Sequence, residues 1–256
     1  MSVNNTLFVG KVFLNFDTLP STNEYALDLL AKNKPSEGTV ISALHQTAGR
    51  GQYGSSWDSE GGKAITLSVI FRPIFLNISQ QFDLNIAVAL AVHDIIRKNA
   101  PDVDLHIKWP NDIYIGNKKL GGILIQNAIS NKKIASSVVG IGLNINQMQF
   151  SSKLPNPTSF LLSTGREHDR DTLIQDLCTS LETRYLQLKA GKIQDLKNDY
   201  YQTLYNFQIP AKYERANGEQ FVGVITGISP EGRLCVRNEG GVEEYFGFKE
   251  VKMVLY

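Results

Sequence analysis

The stretch Gln46-Thr47-Ala48-Gly49-Arg50-Gly51-Gln52-Tyr53-Gly54 contains Gly-x-Gly-x-x-Gly at 49–54, and its reading decides the fold. A dinucleotide fingerprint would put the chain among doubly wound parallel sheets, but it needs a helix directly after the glycines and an acidic residue about 20 positions on. Here Ser55-Ser56-Trp57-Asp58 and a second glycine pair, Gly61-Gly62, follow instead, and positions 70–73 are Ile, Phe, Arg and Pro. The Gly54-Ser55-Ser56 end lacks the lysine of a nucleotide-triphosphate loop, and the catalytic and metal-binding motifs of a kinase are absent. What remains is a long polar loop, 46–63, with one cation, Arg50, among its glycines. Such a backbone can turn successive N–H groups on an anion, and a guanidinium can grip a phosphate or carboxylate with two donors. A mobile surface loop is the alternative.

Outward from the loop, strands are expected at 39–44 and 64–71, where Ile65, Leu67, Val69 and Phe71 alternate with Thr66 and Ser68. Before them, Ser21 and Glu24 fit a capping box opening a helix, with Leu27 and Leu30 on one face. After them come a mostly apolar helix at 80–99 and strands at 104–109, 113–115, 120–128 and 134–145, with Gly116-Asn117 as a hairpin turn. A polar loop at 148–157 and helices at 172–189 and 193–205 follow. From Pro210 the pattern becomes short strands at 212–216, 221–228, 233–237, 242–248 and 251–255. Asn217-Gly218, Pro230-Glu231-Gly232 and Gly240-Gly241 make the turns, which predicts a small barrel and a division into domains 1–209 and 210–256.

Composition excludes several classes. With 26 Lys and Arg against 25 Asp and Glu, the net charge of +1 gives no whole-chain pull on nucleic acid or anionic membrane. Cys178 and Cys235 have no ligand spacing, and His45, His93, His106 and His168 are scattered, so neither a disulfide framework nor a histidine metal site is expected. The segment from Met1 to Thr6 has no basic, apolar leader pattern, and no run reaches the ~18 apolar residues of a membrane span, so the chain is expected to be cytoplasmic.

Two further clusters carry chemistry. Lys108-Trp109-Pro110-Asn111-Asp112 ends one strand and begins the next, and Lys119-Leu120-Gly121-Gly122 lies just past the hairpin turn. The hairpin can bring a carboxylate, an ammonium and open backbone together, since a strand glycine often marks close approach of a ligand or another backbone. A surface ion pair is the bland alternative. Gly140-Ile141-Gly142-Leu143-Asn144 ends an apolar strand with small residues and one amide.

In this order, Ser21-Thr22-Asn23, Gln46 to Gly51 with Trp57, Lys108 to Asp112, Lys119 to Leu124 and Gly140 to Asn144 resemble the motif series of the biotin protein ligases, closely over about 13–150 and in layout beyond. The resemblance implies an α+β fold, a mixed β-sheet flanked by helices like that of class II synthetases, followed by an SH3-like barrel. It implies that biotin and ATP, with Mg²⁺, form biotinyl-5′-adenylate and pyrophosphate, and that biotin then passes to a lysine of a biotin carboxyl carrier protein. Arg50, Lys119 and Asp112 are the implied catalytic residues, Asp112 acting on Mg²⁺ or on the attacking amine. The implied biotin-binding set is Ser21, Thr22, Asn23, Gln46, Gly49, Arg50, Gly51, Gln52, Lys119, Gly121 and Gly122; the implied adenylate set is Arg50, Trp57, Lys108, Asn111, Lys119 and Asn144. Loops 49–56 and 146–157 are placed to shield the anhydride, as catalytic lids do. Three glycines make the first loop costly to order, so it is expected to need a bound anion.

There are departures and alternatives. Gln52 stands where many members have an arginine against the phosphate, and Ser55 where a further basic residue is common. Only 20 residues precede Ser21, too few for the DNA-binding domain that some members carry, so no DNA role is expected. A homodimer is allowed. A lipoate or octanoate ligase-transferase would need an arginine-glycine-rich loop of another type, and a non-catalytic adenylate binder would be favoured by loss of Arg50 or Lys119, both of which are present.

Overall fold

The computed structural model describes residues 3 and 5–254. Met1, Ser2 and Asn4 of the expected leaderless start, and Leu255 and Tyr256 of the expected last strand and domain, lie outside the described residues. Phe13–Leu19 (β1) runs parallel to Val40–Gln46 (β2), and the helix Thr22–Lys32 (α1) in the connection supplies the length that parallel pairing needs. β1 was not expected from the sequence. It is an edge strand, and its exposed Asn15 and Asp17 interrupt the apolar pattern. Ala64–Phe71 (β3) pairs antiparallel with β2 and is buried along its whole length, so Thr66 and Ser68 face packed protein rather than solvent.

The helix Gln81–Asn99 (α2), nearly all buried in its middle, leads to Leu105–Lys108 (β4), Asp112–Ile115 (β5), Lys118–Ser130 (β6) and Lys133–Asn144 (β7). The seven strands lie in the order β1-β2-β3-β7-β6-β5-β4. Residues of α1 pack on one face with Ile41, Ile70 and Val138, while α2 and the later helix Arg170–Lys189 (α4) cover the other with Ile65, Leu67, Val139, Ile141 and Leu143. Between β7 and α4 lies a one-turn helix, Phe160–Thr164 (α3), capped by Ser159 and not expected from the sequence; after α4 comes Ile193–Thr203 (α5).

The expected capping box is half formed. The Ser21 hydroxyl accepts from Glu24 N–H, but the Glu24 carboxylate turns to Arg50 instead of the cap. Leu27, expected on the apolar face, is exposed; Ala26 takes the buried position.

Pro210–Arg215 (β8), Gln220–Ile228 (β9), Leu234–Asn238 (β10), Glu243–Phe246 (β11) and Val251–Met253 (β12) form an antiparallel sheet ordered β11-β10-β9-β8-β12. It is open rather than a closed barrel. The two edge strands have four and three residues, and the 247–250 turn between them is closed on itself by Gly247 N–H to Glu250 Oε2 at 2.6 Å. This sheet shares the main apolar cluster through Tyr213, Ile225, Leu234, Val236 and Phe246. Its 230–232 turn docks on the larger unit: Trp109 Nε1–H donates to Gly232 O at 3.0 Å, and a Cβ on Gly232 (φ +89°) would lie 2.6 Å from the Phe82 ring.

Two buried ionisable groups support this packing. The Glu182 carboxylate on α4 accepts the backbone N–H groups of Leu7, Phe8 and Val9 at 2.6, 2.7 and 3.0 Å, which ties the N-terminal segment to the helix. Glu182→Gln turns one acceptor into a donor facing N–H groups, and we expect it to cost about 1–3 kcal/mol, read as a melting temperature lower by several degrees. An unchanged melting temperature would show that the N-terminal segment contributes nothing to stability.

His93, within α2, is held at a pKa of about 4, chiefly by burial, which favours the neutral ring; Arg97 and His106 add to this and Asp94 opposes it. The unfolded chain takes up a proton near pH 6.5 that the native ring refuses until about pH 4. The contribution is therefore complete above pH 6.5 and is lost as pH falls through this window, by about 3 kcal/mol in all. Urea unfolding at pH 7 and pH 4.5 should show a smaller loss for His93→Gln than for the unsubstituted protein. Equal losses would assign the acid sensitivity to other groups.

Candidate active site

The cleft is built on a strip of sheet without side chains. Along β7, Gly140 and Gly142 face α1 while Val139, Ile141 and Leu143 face the main core. On β6, Leu124 and Gly122 pair with them. A Cβ on Gly140 would overlap the Asn23 amide, and one on Gly142 would lie 2.5 Å from the Trp57 indole. The bare backbone thus seats the start of α1 and the end of the polar loop.

Above this strip runs a chain of buried polar groups. Thr22 N–H and its hydroxyl both donate to Gln46 Oε1, at 2.8 and 3.1 Å, which leaves the Gln46 NH₂ as the group free to donate elsewhere. Asn23 Nδ2–H donates to Gln126 Oε1 at 3.0 Å. The Ser68 hydroxyl lies 2.6 Å from Asn23 Oδ1 and 2.8 Å from Thr22 Oγ1, and its single proton serves one of them. Ser68 and Gln126 were not among the expected site residues. Ser68 had a signal, a polar position alternating in an apolar strand; Gln126 had none.

At the other end, Lys119 Nζ lies 2.7 Å from Asp112 Oδ1. A register shift places them together: Ile113 pairs with Gly121 but Tyr114 with Lys119, so Leu120 is an extra residue on β6. This bulge turns Lys119 onto the face of Asp112 and Gly122. The lid expected at 146–157 also fixes it, since Lys119 N–H donates to Asn156 O at 2.7 Å and Lys119 O accepts Thr158 N–H at 2.9 Å. The buried Asn111 amide donates to Ile123 O, which locks the turn before β5.

The 49–56 loop forms the remaining wall. It contains a 3₁₀ turn, Gln52–Gly54, and brings Arg50, Gly51, Gln52, Ser55 and Ser56 to the cleft. The Arg50 guanidinium is paired with Glu24, so a carboxylate of the chain already occupies the expected anion-binding group. That corrects the expectation that only a ligand could hold this loop.

Of the expected residues, Ser21, Thr22, Asn23, Gln46, Arg50, Gly51, Gln52, Trp57, Asn111, Asp112, Lys119 and Gly122 line one cleft, joined by Phe248 of the C-terminal sheet. Four do not line it. Gly49 sits beneath the loop against Gln46 and the Trp57 carbonyl, and Gly121 faces Leu143 in the core. Asn144 is buried with Nδ2–H on Thr158 O at 3.0 Å and Oδ1 without a protein partner. Lys108 points into a neighbouring cavity with Tyr205, Tyr213 and Phe248; its ammonium lies 4.8 Å over the Tyr114 ring, and burial lowers its pKa. Asp112 lines both cavities.

Among the described residues no three His, Cys, Asp or Glu side chains gather as a metal cage. Asp112 is the one carboxylate among the described residues that line the cleft, which fits an ion such as Mg²⁺ that is held by one or two carboxylates and brings its other ligands with the substrate.

Comparison with known proteins gives the family and the fold. Residues 15–144 match the model of the biotin/lipoate A/B protein ligase family, and residues 212–251 that of the biotin protein ligase C-terminal domain. The chain is 33% identical over 245 residues to the bifunctional ligase/repressor BirA of Bacillus subtilis, covering 94% of this chain and 74% of that one. It is 31% identical over 232 residues to the biotin–[acetyl-CoA-carboxylase] ligase of Mycobacterium tuberculosis, covering 89% and 85%. The fold matches that of Aquifex aeolicus biotin protein ligase in complex with biotin and ATP, with a TM-score of 0.78, 22% identity, and 95% and 99% of the two chains covered. With the first model spanning more than half of it and a relative one-third identical along nearly all of it, the chain belongs to the biotin/lipoate A/B protein ligase family, among the biotin protein ligases.

Proposed function

We propose that this protein is a biotin–[biotin carboxyl carrier protein] ligase. It joins the biotin carboxylate to the α-phosphate of ATP with release of pyrophosphate, then passes the biotinyl group from the mixed anhydride to one lysine of the carrier. The observation that carries this reading is the convergence of Lys119, Asp112, Arg50, Thr22, Asn23 and Gln46 on one cleft, with Ser68 and Gln126 holding Asn23 from behind. The match of 212–251 to a biotin ligase C-terminal domain favours biotin over lipoate.

The roles follow from charge and satisfaction. In the first step two anions meet, so the Lys119 ammonium and the Arg50 guanidinium lower the barrier by facing the charge that develops. A buried ureido ring needs a partner on each polar edge, because each unmet group costs about 1–3 kcal/mol; Ser21, Thr22, Asn23 and Gln46 are assigned to it. Trp57 and Asn111 are assigned to the adenylate side, while Asn144, buried away from the cleft, supports it by holding Thr158 O. Bound Mg²⁺, held by Asp112 and the phosphates, would neutralise phosphate charge. Phe248 and the 49–56 loop keep water from the anhydride.

Lys119→Ala is expected to lower adenylate synthesis by a factor of about 10²–10³, the usual effect of removing one such stabilising group, with the fold intact. Biotin-dependent exchange of labelled pyrophosphate into ATP measures it. Near-normal exchange by the folded variant would remove Lys119 from the reacting centre.

A further inference from the structure

The base of the 49–56 loop is anchored by Thr47 and Ala48 N–H on Leu19 and Pro20 carbonyls, at 3.0 and 2.9 Å. Beyond it the bonds are internal: Gly51 N–H to Ser55 O at 2.7 Å, Trp57 N–H to Gly49 O at 2.9 Å, and the Ser55 hydroxyl to Gln52 O at 2.7 Å. They fold the loop on itself without tying it to α1. That tie is the ion pair of Arg50 with Glu24 in the first turn of α1, directly after the residues of the polar chain. Both side chains are partly open to solvent, at 56% and 37% exposure, so the partner of Arg50 can exchange. Lys119 is likewise paired with Asp112. Each of these two cations of the cleft is therefore paired with a carboxylate of the chain, which competes with an arriving anion for it.

We propose that Glu24 is a positioning residue: through Arg50 it holds the 49–56 loop over the cleft in the ligand-free protein, and it yields the guanidinium to the phosphate of the adenylate. The proposal rests on the reading of this cleft as the biotinyl-adenylate site. An ion pair present in the free protein and replaced in the complex stabilises only the free state, so its loss strengthens ligand binding by the same factor that it loosens the empty loop. For a pair this exposed the factor is about two to five.

The test uses Glu24→Gln, which keeps the size and removes the charge. In the ligand-free protein, hydrogen exchange at the Gly51 and Trp57 amides should be about two- to fivefold faster than in the unsubstituted protein. Release of biotinyl-5′-adenylate, followed by chase without acceptor, should be slower by a similar factor, since affinity differences of this kind fall mainly in the off-rate. Arg50→Gln should speed release, and adding Glu24→Gln to it should change neither measurement. Unchanged loop exchange in Glu24→Gln would overturn the hold on the empty loop. Faster release would overturn the displacement, because Glu24 would then keep Arg50 in place with ligand bound. Persistence of both effects in the Arg50→Gln background would overturn the route through Arg50. Unchanged release from Arg50→Gln alone would refute the placement of the phosphate, while exchange on the empty protein would still decide the hold on the loop.

Discussion

One extra residue in β6 sets the charged end of the cleft. Side chains alternate along a strand, so Lys119, three residues before Gly122, would ordinarily point to the opposite face, into the main apolar cluster. The bulge at Leu120 reverses that parity and lets Leu120 itself fill the core. An ammonium on the apolar side would be left without partner or water, which is costly. On the cleft side it meets Asp112, and the 156–158 segment grips its backbone on both sides. The Lys119 ammonium is thus held by main-chain bonds as well as by its charge partner, so a role in the proposed reaction would need little reorganisation.

The second constraint is the missing side chains of Gly140 and Gly142. They let helix and loop approach the sheet closely enough for Thr22 and Asn23 to reach Gln46, Ser68 and Gln126. Buried polar chains of this kind are stable only when every member is satisfied. Here the members orient one another and leave the Gln46 NH₂ to donate elsewhere, so a ligand would meet polar groups already held in place.

Much of this was legible in the sequence and some was not. The alternation in β3, the periodicity of α4 and the turn at Gly116-Asn117 each follow from local physics, and the structure has the corresponding elements. The clustered motifs did converge on one cleft. Spacing alone could not say which way each residue points. Lys108 shares a strand end with the motif yet serves the neighbouring cavity, and Gly121 differs from Gly122 only by the two-residue period of the strand. Contributions from distant segments left no local signature. Phe248 reaches the cleft because the 230–232 turn docks on Phe82 and Trp109, and Glu24 was read as a cap because its true partner lies 26 positions away. β1 was hidden because an edge strand has no need of a continuous apolar pattern.

The chain has two tryptophans, and their settings differ. Trp57 lies on the glycine floor of the cleft, with its ring nitrogen buried and unbonded, whereas Trp109 donates to a carbonyl of the C-terminal sheet. The molecule therefore carries two optical reporters in separate places. Emission from Trp57 follows what enters the cleft, and emission from Trp109 follows the seating of the small sheet on the large one. Replacing either by phenylalanine leaves the other as the single indole, so the cleft and the seam between the two sheets can be followed one at a time without attaching a dye.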